Sequence, residues 1–174
     1  LSRTNAALAR TCLAILKRGT RATIVGSDLG AGLIKLIRKL SKSRQLTLID
    51  PLASLLTSVT AWRDREVAKA AAAGRRMRVE QVNDSADMIS ALSDDVATVD
   101  ELVARIEDLF SDDGGARVAC STIHRAKGLE ADRVWVLQQT LDQMRPSTPL
   151  EEVEEANLRY VAVTRARHEL IWVL

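Results

Sequence analysis

Residues 117–137 read RVACSTIHRAKGLEADRVWVL. A β-branched run, "RVACSTI", gives way to a polar turn containing Gly128 and then to a second apolar run, "VWVL". Both "VWVL" and the C-terminal "LIWVL" are continuous rather than alternating, the pattern of parallel strands covered on both faces. Parallel strands need crossover connections, so helices are expected between them. The flanking sequence supplies them. "NAALARTCLAILKRG" places Leu8, Cys12, Ile15 and Leu16 on one helical face, with Thr4 or Asn5 as N-cap and Gly19 just past the end. "RATIV" follows as a short strand, and after "GSDLGAG" the segment "LIKLIRKL" lines up Leu33, Leu36, Ile37 and Leu40. The alternation predicts an α/β fold with a parallel sheet and flanking helices.

The middle of the chain breaks this rhythm. "QLTLI" reads as a further strand, and Asp50 and Pro51 then open a helix as N-cap and first helical residue, with Leu52, Leu55, Leu56, Val59 and Trp62 on its apolar face. From Gly74 to Ser111 the pattern is polar and helical, and Thr98 with Glu101 forms a capping box before "ELVARIEDLF". Residues from about 50 to 112 are therefore expected to be a helical insert. From Ala116 the α/β pattern returns. It continues through a loop "QMRPSTP", a helix from about Leu150 to Thr164 and a closing strand "ELIWVL".

Bulk properties narrow the function classes. With 174 residues, 47% hydrophobic and 28% charged, the chain suits one well-cored domain. Its 25 basic and 23 acidic residues give a net charge of +2, so any anion site must be local. Cys12 and Cys120 have neither CxxC nor Cys/His spacing, which disfavours a disulfide scaffold or a zinc site and points to a reducing, intracellular compartment. No stretch approaches the roughly 18 apolar residues of a membrane span. A first residue of Leu is expected of a piece of a longer chain.

In an open parallel sheet, ligands bind at the carboxyl ends of the strands, so the loops after strands are where chemistry is expected. The turn "HRAKGLE" can aim backbone N–H groups and Lys127 at a phosphate around Gly128, while Glu130 can accept from a sugar hydroxyl. The same residues also make an ordinary turn. In the last helix Leu158, Val161, Ala162 and Arg165 fall at i, i+3, i+4 and i+7, which brings Arg165 within about 20° of the apolar stripe. A guanidinium there either meets an anion or serves the helix C-terminus. Arg167 points elsewhere and reads as a surface charge, as do Glu155 and Arg159, an i,i+4 ion pair. Arg3, in "LSRTN", precedes a helix and can cap or bind. His124 has no second metal-ligating residue at suitable spacing, so no metal ligand is predicted.

Taken together, "LSRTN", "TIHRAKGLEADRVWVL" and "EEANLRYVAVTRA" resemble motifs IV, V and VI of the superfamily 1 DNA helicases of the UvrD, Rep and PcrA type, in that order. The resemblance is anchored at residues 1–5 and 116–174, extends more weakly over 20–40, and leaves out the helical middle. It implies a RecA-like fold, the second motor domain, called 2A, which closes over ATP and Mg²⁺ held by an N-terminal RecA-like domain 1A. By motif match, Arg3 and Arg165 would be arginine fingers on the γ-phosphate, and Glu130 would bind the ribose. Thr122 and His124 would lie where ATP state is coupled to single-stranded DNA, with 3′→5′ movement implied.

The chain departs from the family in four respects. It has no GxxxxGK[ST] phosphate loop and no acidic Mg²⁺ motif, so it is not expected to hydrolyse ATP alone. Ser2 stands where the family often has a base-stacking aromatic. The large 2B insertion is absent or reduced to the helices of 50–112. With only five aromatic residues, DNA contact is expected to be mainly to phosphates. A rival of another class is a RecA-like module that binds DNA or protein without turnover; a phosphate-loop domain upstream of Leu1 separates the two.

Overall fold

The computed structural model describes residues 1–43, 51–111, 118–142, 146 and 148–174. The expected strand "QLTLI" and the expected N-cap Asp50 lie outside them. The chain divides into two compact units, one of Leu1–Val25 with Arg117–Leu174, the other of Gly26–Ala116.

In the first unit, α1 (Asn5–Lys17) leads into β1 (Ala22–Ile24), and the chain returns in β2 (Val118–Cys120). The two strands pair in parallel, Ala22 opposite Val118 and Ile24 opposite Cys120. Farther along, β3 (Ala131–Leu137) pairs in parallel with β4 (Ala166–Val173), Val134 opposite Leu170 and Leu137 opposite Val173. Between them run the short α6 (Gln138–Asp142) and α7 (Pro149–Val163). Thr148 caps α7 by accepting from the Glu151 N–H at 3.2 Å, and Pro149 occupies a first-turn position where no N–H is missed.

The first two residues join these pairs. Ser2 N–H donates to the Ser121 carbonyl at 3.2 Å and Ile123 N–H donates to the Ser2 carbonyl at 2.9 Å, a parallel bridge between Ser2 and Thr122. On the other side Leu137 N–H donates to the Leu1 carbonyl at 2.8 Å, and the Leu1 nitrogen donates to the Trp135 carbonyl. A two-residue segment thus lies hydrogen-bonded between the end of β2 and β3. Short parallel strands with helices between them give the mixed α/β architecture expected from the sequence.

The core of this unit gathers Ile123, Val134, Val136, Leu141, Leu158 and Ala162, with Leu1, Val161, Ala166 and Leu170 against it. Burying each large aliphatic side chain contributes about 1.5–3 kcal/mol. Not all of the apolar run is covered, however. Trp135 remains 41% exposed and Trp172 39%, so neither is the core residue that a strand covered on both faces predicts. Val134 and Val136 face the core, whereas Trp135 shares the other face with its partner Ile171 and carries the Arg133 guanidinium 5.7 Å from its ring centre. Cys12 and Cys120, distant in sequence, are both buried free thiols. A hydrogen bond from Cys12 draws the Cys120 thiol below its ordinary pKa.

The second unit is helical: α2 (Ser27–Ser43), α3 (Pro51–Ala72), α4 (Arg76–Leu92) and α5 (Val99–Leu109). The helix carrying Leu33, Ile37 and Leu40, which the sequence places in the α/β rhythm, packs instead with α3 and α5. Thr98 accepts from the Glu101 N–H at 3.1 Å, while the Glu101 carboxylate reaches back to the Ala97 N–H at 2.7 Å. That is a capping box displaced by one residue. Arg105 ties the turn after α4 by donating to the carbonyls of Leu92, Asp94 and Asp95.

Close packing in this unit yields a test. A Cβ built on Gly30 of α2 would lie 2.7 Å from Cγ and 2.8 Å from Cβ of the buried Phe110. Gly30→Ala, which improves helix propensity on an open surface, is expected here to destabilise by about 1–3 kcal/mol through overpacking. Denaturant unfolding of the variant checks this, with Gly30→Ala/Phe110→Leu expected to recover part of the loss.

Candidate nucleotide and nucleic-acid site

The segments singled out in the sequence meet in the first unit, where hydrogen bonds connect each to the others. Arg3 follows directly on the bridging segment. Its N–H donates to the Thr140 hydroxyl at 3.0 Å, and that hydroxyl donates to the Leu137 carbonyl at 2.7 Å. Its guanidinium meets α7, with Nε 3.2 Å and Nη2 3.0 Å from Oε1 of Glu155. Ser2 is fully buried, and its hydroxyl is spent on Thr4, donating to the carbonyl at 2.9 Å and accepting from the N–H at 3.2 Å.

Glu155 is therefore not half of a surface pair with Arg159. Arg159 donates instead to Asp142 at 2.9 Å, and this hydrogen bond, ahead of a smaller one from Gln138, holds the Asp142 carboxyl below the usual carboxylate range. The reason is helical phase. Glu155, Leu158 and Ala162 fall at i, i+3 and i+7, which turns Glu155 toward the core side while Arg159 stays exposed.

The turn after β2 starts from Thr122, whose side chain is buried and whose hydroxyl accepts from the Arg125 N–H at 3.4 Å. Ala126 N–H donates to the Thr122 carbonyl at 3.0 Å, closing a helical turn that leaves His124 and Lys127 exposed. Gly128 has φ +85°, the left-handed conformation in which a Cβ costs about 1–2 kcal/mol, although no atom lies within 4 Å of where one would stand. The glycine is required by backbone conformation, not by space.

Arg165 lies just beyond α7. Nε donates to the Val161 carbonyl at 3.0 Å, Nη1 to the Leu129 carbonyl at 3.0 Å and Nη2 to the Thr164 hydroxyl at 2.9 Å. All three acceptors are neutral, and among the described residues no carboxylate pairs with this guanidinium. The Arg165 carbonyl in turn accepts from the Ala131 N–H at 3.0 Å. The residue fastens the end of α7 to the end of the turn. Next to it Arg167 donates from Nε to Oε2 of Glu130 at 3.1 Å, both side chains more than half exposed. The carboxylate expected to meet a sugar hydroxyl is thus ion-paired with the arginine read as a plain surface charge.

Sequence reading missed two residues here, Glu155 and Thr140. A carboxylate on the same stripe as Leu158 and Ala162 was the available signal for Glu155; none existed for Thr140, whose role depends on the bridging segment. A groove of ≈490 Å³ in the helical unit, lined by residues including Lys35, Arg38, Lys39 and Glu107, contains none of the predicted site residues. No helix among the described residues is long and apolar enough to cross a membrane.

The family model described as the UvrD-like helicase C-terminal domain matches residues 29–174. The match takes in the turn 122–130, all of α7 and Arg165, and it also runs through the helical middle, which the motif resemblance leaves out. Arg3 precedes it. Helicases of this family are, in general, ATP-dependent hydrolases that act on DNA. Matched over 146 of its 174 residues, counting from 29 to 174, the chain belongs to the family of UvrD-like helicase C-terminal domains.

Proposed function

We propose that the chain is the C-terminal, RecA-like motor domain of an ATP-dependent UvrD-like DNA helicase or translocase. In this reading it presents Arg3 and Arg165 to the γ-phosphate of ATP held by an N-terminal phosphate-loop domain. Glu130 accepts from the ribose, and Lys127 with the backbone around Gly128 faces the phosphates. Thr122 and His124 couple this edge to the phosphates of single-stranded DNA, and residues 50–112 belong to a helical insert in one 2A-type domain.

The observation that carries the reading is the state of Arg165. Its guanidinium is held in place by three acceptors, yet none of them is charged. Among the described residues, its orientation is fixed while no carboxylate compensates its charge. Phosphoryl transfer is catalysed mainly by positioning and by neutralising charge on the transferred group, for which such a fork is suited. The pairing of Glu130 with Arg167 does not oppose a ribose role. An exposed ion pair is worth at most about 1 kcal/mol, so a sugar hydroxyl can compete for the carboxylate.

The donors at this edge suit the anionic part of the nucleotide. They are guanidinium, ammonium and backbone N–H groups, and among the described residues no group of three His, Cys, Asp or Glu side chains could hold a metal ion. In this reading Mg²⁺ would be held by the phosphate-loop domain, where it would neutralise phosphate charge.

In the full-length protein Arg165→Ala is expected to lower kcat of DNA-stimulated ATP hydrolysis by roughly 10³-fold or more, as for other arginine fingers, with the fold retained by circular dichroism. A loss of only a few-fold would overturn the assignment. Arg167→Ala serves as the control, and a larger defect from it than from Arg165→Ala would reverse the roles of the two arginines. The isolated 174-residue chain is expected to bind single-stranded DNA in a salt-sensitive way without hydrolysing ATP. Turnover by the pure fragment would show that the catalytic set lies within it.

A further inference from the structure

We infer that Glu155 is the positioning residue for Arg3, holding one edge of the guanidinium so that the other is presented to the phosphate. This rests on the proposed motor function, because it assigns a role to a residue behind one of the two arginines of that reading. Glu155 and Arg3 are 152 residues apart in sequence and retain 15% and 17% side-chain exposure. At that burial neither side chain is a freely solvated surface charge.

The geometry is specific. Both Nε and Nη2 of Arg3 converge on Oε1 of Glu155, which leaves Nη1 with no partner among the described residues. The backbone of Arg3 is fixed separately by the Thr140 hydroxyl. Arg3 is thus anchored at its N–H and at the Nε edge of its guanidinium, while the opposite edge keeps its donors. A long side chain with about 2 kcal/mol of rotamer entropy is in this way restricted before any anion arrives.

The pair is also incomplete. Oε2 of Glu155 is buried and accepts no hydrogen bond among the described residues. An arginine that serves only as a structural staple would gain more from the two-oxygen fork, in which each carboxylate oxygen takes one donor. Leaving a buried oxygen without a donor is unfavourable. Crowding both donors onto Oε1 leaves Arg3 room to pivot, since a small rotation can hand Nη2 to Oε2 without releasing Glu155. The carboxylate therefore acts as a hinge: the charge stays compensated while the free edge adjusts to the phosphate.

The test uses the full-length protein and steady-state, DNA-stimulated ATP hydrolysis. Glu155→Ala is expected to lower kcat by about 10²-fold with KM for ATP changed by no more than about threefold, the signature of lost orientation rather than lost binding. Glu155→Gln keeps the size and one acceptor but loses the charge, and is expected to fall between wild type and Glu155→Ala; it decides the matter if the alanine variant does not fold. In an Arg3→Ala background, Glu155→Ala is expected to cause no further loss, because a residue that acts only through Arg3 has nothing left to position. Equal losses from Glu155→Ala with and without Arg3 would overturn the proposal, as would wild-type kcat in both Glu155 variants. If Arg3→Ala itself leaves kcat unchanged, the arginine-finger reading of Arg3 falls and this proposal with it. A defective Arg3→Ala beside fully active Glu155 variants removes only the positioning role.

Discussion

The first unit depends on two residues being hydrogen-bonded on both sides. Leu1 and Ser2 bond to Ser121 and Ile123 on one flank and to Trp135 and Leu137 on the other. Without that segment, β1 with β2 and β3 with β4 are separate two-stranded pairs, which are marginal alone. With it, Arg3 emerges beside the end of β3 and the turn that follows β2. That segment places Arg3 beside the end of β3, whereas Glu130 and Arg165 stand just ahead of its start, next to the Ala131–Ala166 pair.

Three arginines of the first unit have three different electrostatic states. Among the described residues, Arg3 is compensated by a largely buried carboxylate, Arg167 by an exposed one, and Arg165 by carbonyl and hydroxyl dipoles only. A buried pair resists separation, because removing one partner strands the other charge in a poor solvent. An exposed pair exchanges readily with water and other partners. A guanidinium held by dipoles keeps its full field.

Much of this was legible from residue order. The runs "RATIV" and "RVACSTI" each contain an observed strand, "VWVL" and "ELIWVL" each overlap the end of one, and Pro51 and Thr98 mark helix starts. These signals are local, and local signals survive folding. The misses were contacts between distant segments. Glu155 was assigned to Arg159 by i,i+4 spacing, but helical phase turns it away toward a residue 152 positions earlier. Trp135 and Trp172 were assigned to the core because an apolar run does not say which face will be covered. Helical phase sets Arg165 apart from Arg167 in the sequence, but Arg165 lies just past the end of α7, and its neutral acceptors include the carbonyl of Leu129, which no periodicity in the last helix reveals.

The place of the helical unit in the chain follows from the same sheet. It departs after β1 and returns at β2, strands that are direct neighbours with Ala22 opposite Val118. Because the two strands run parallel, the connection leaves the end of β1 and re-enters at the start of β2, as a crossover must. Closing a longer connection costs only about 0.6 kcal/mol per doubling of its length. A connection that folds on its own, with Leu55, Ile89, Leu92, Leu102 and Ile106 buried, recovers far more than that. The candidate residues Arg3, Thr122, His124, Lys127, Gly128, Glu130 and Arg165 all fall in the unit formed by the two ends of the sequence.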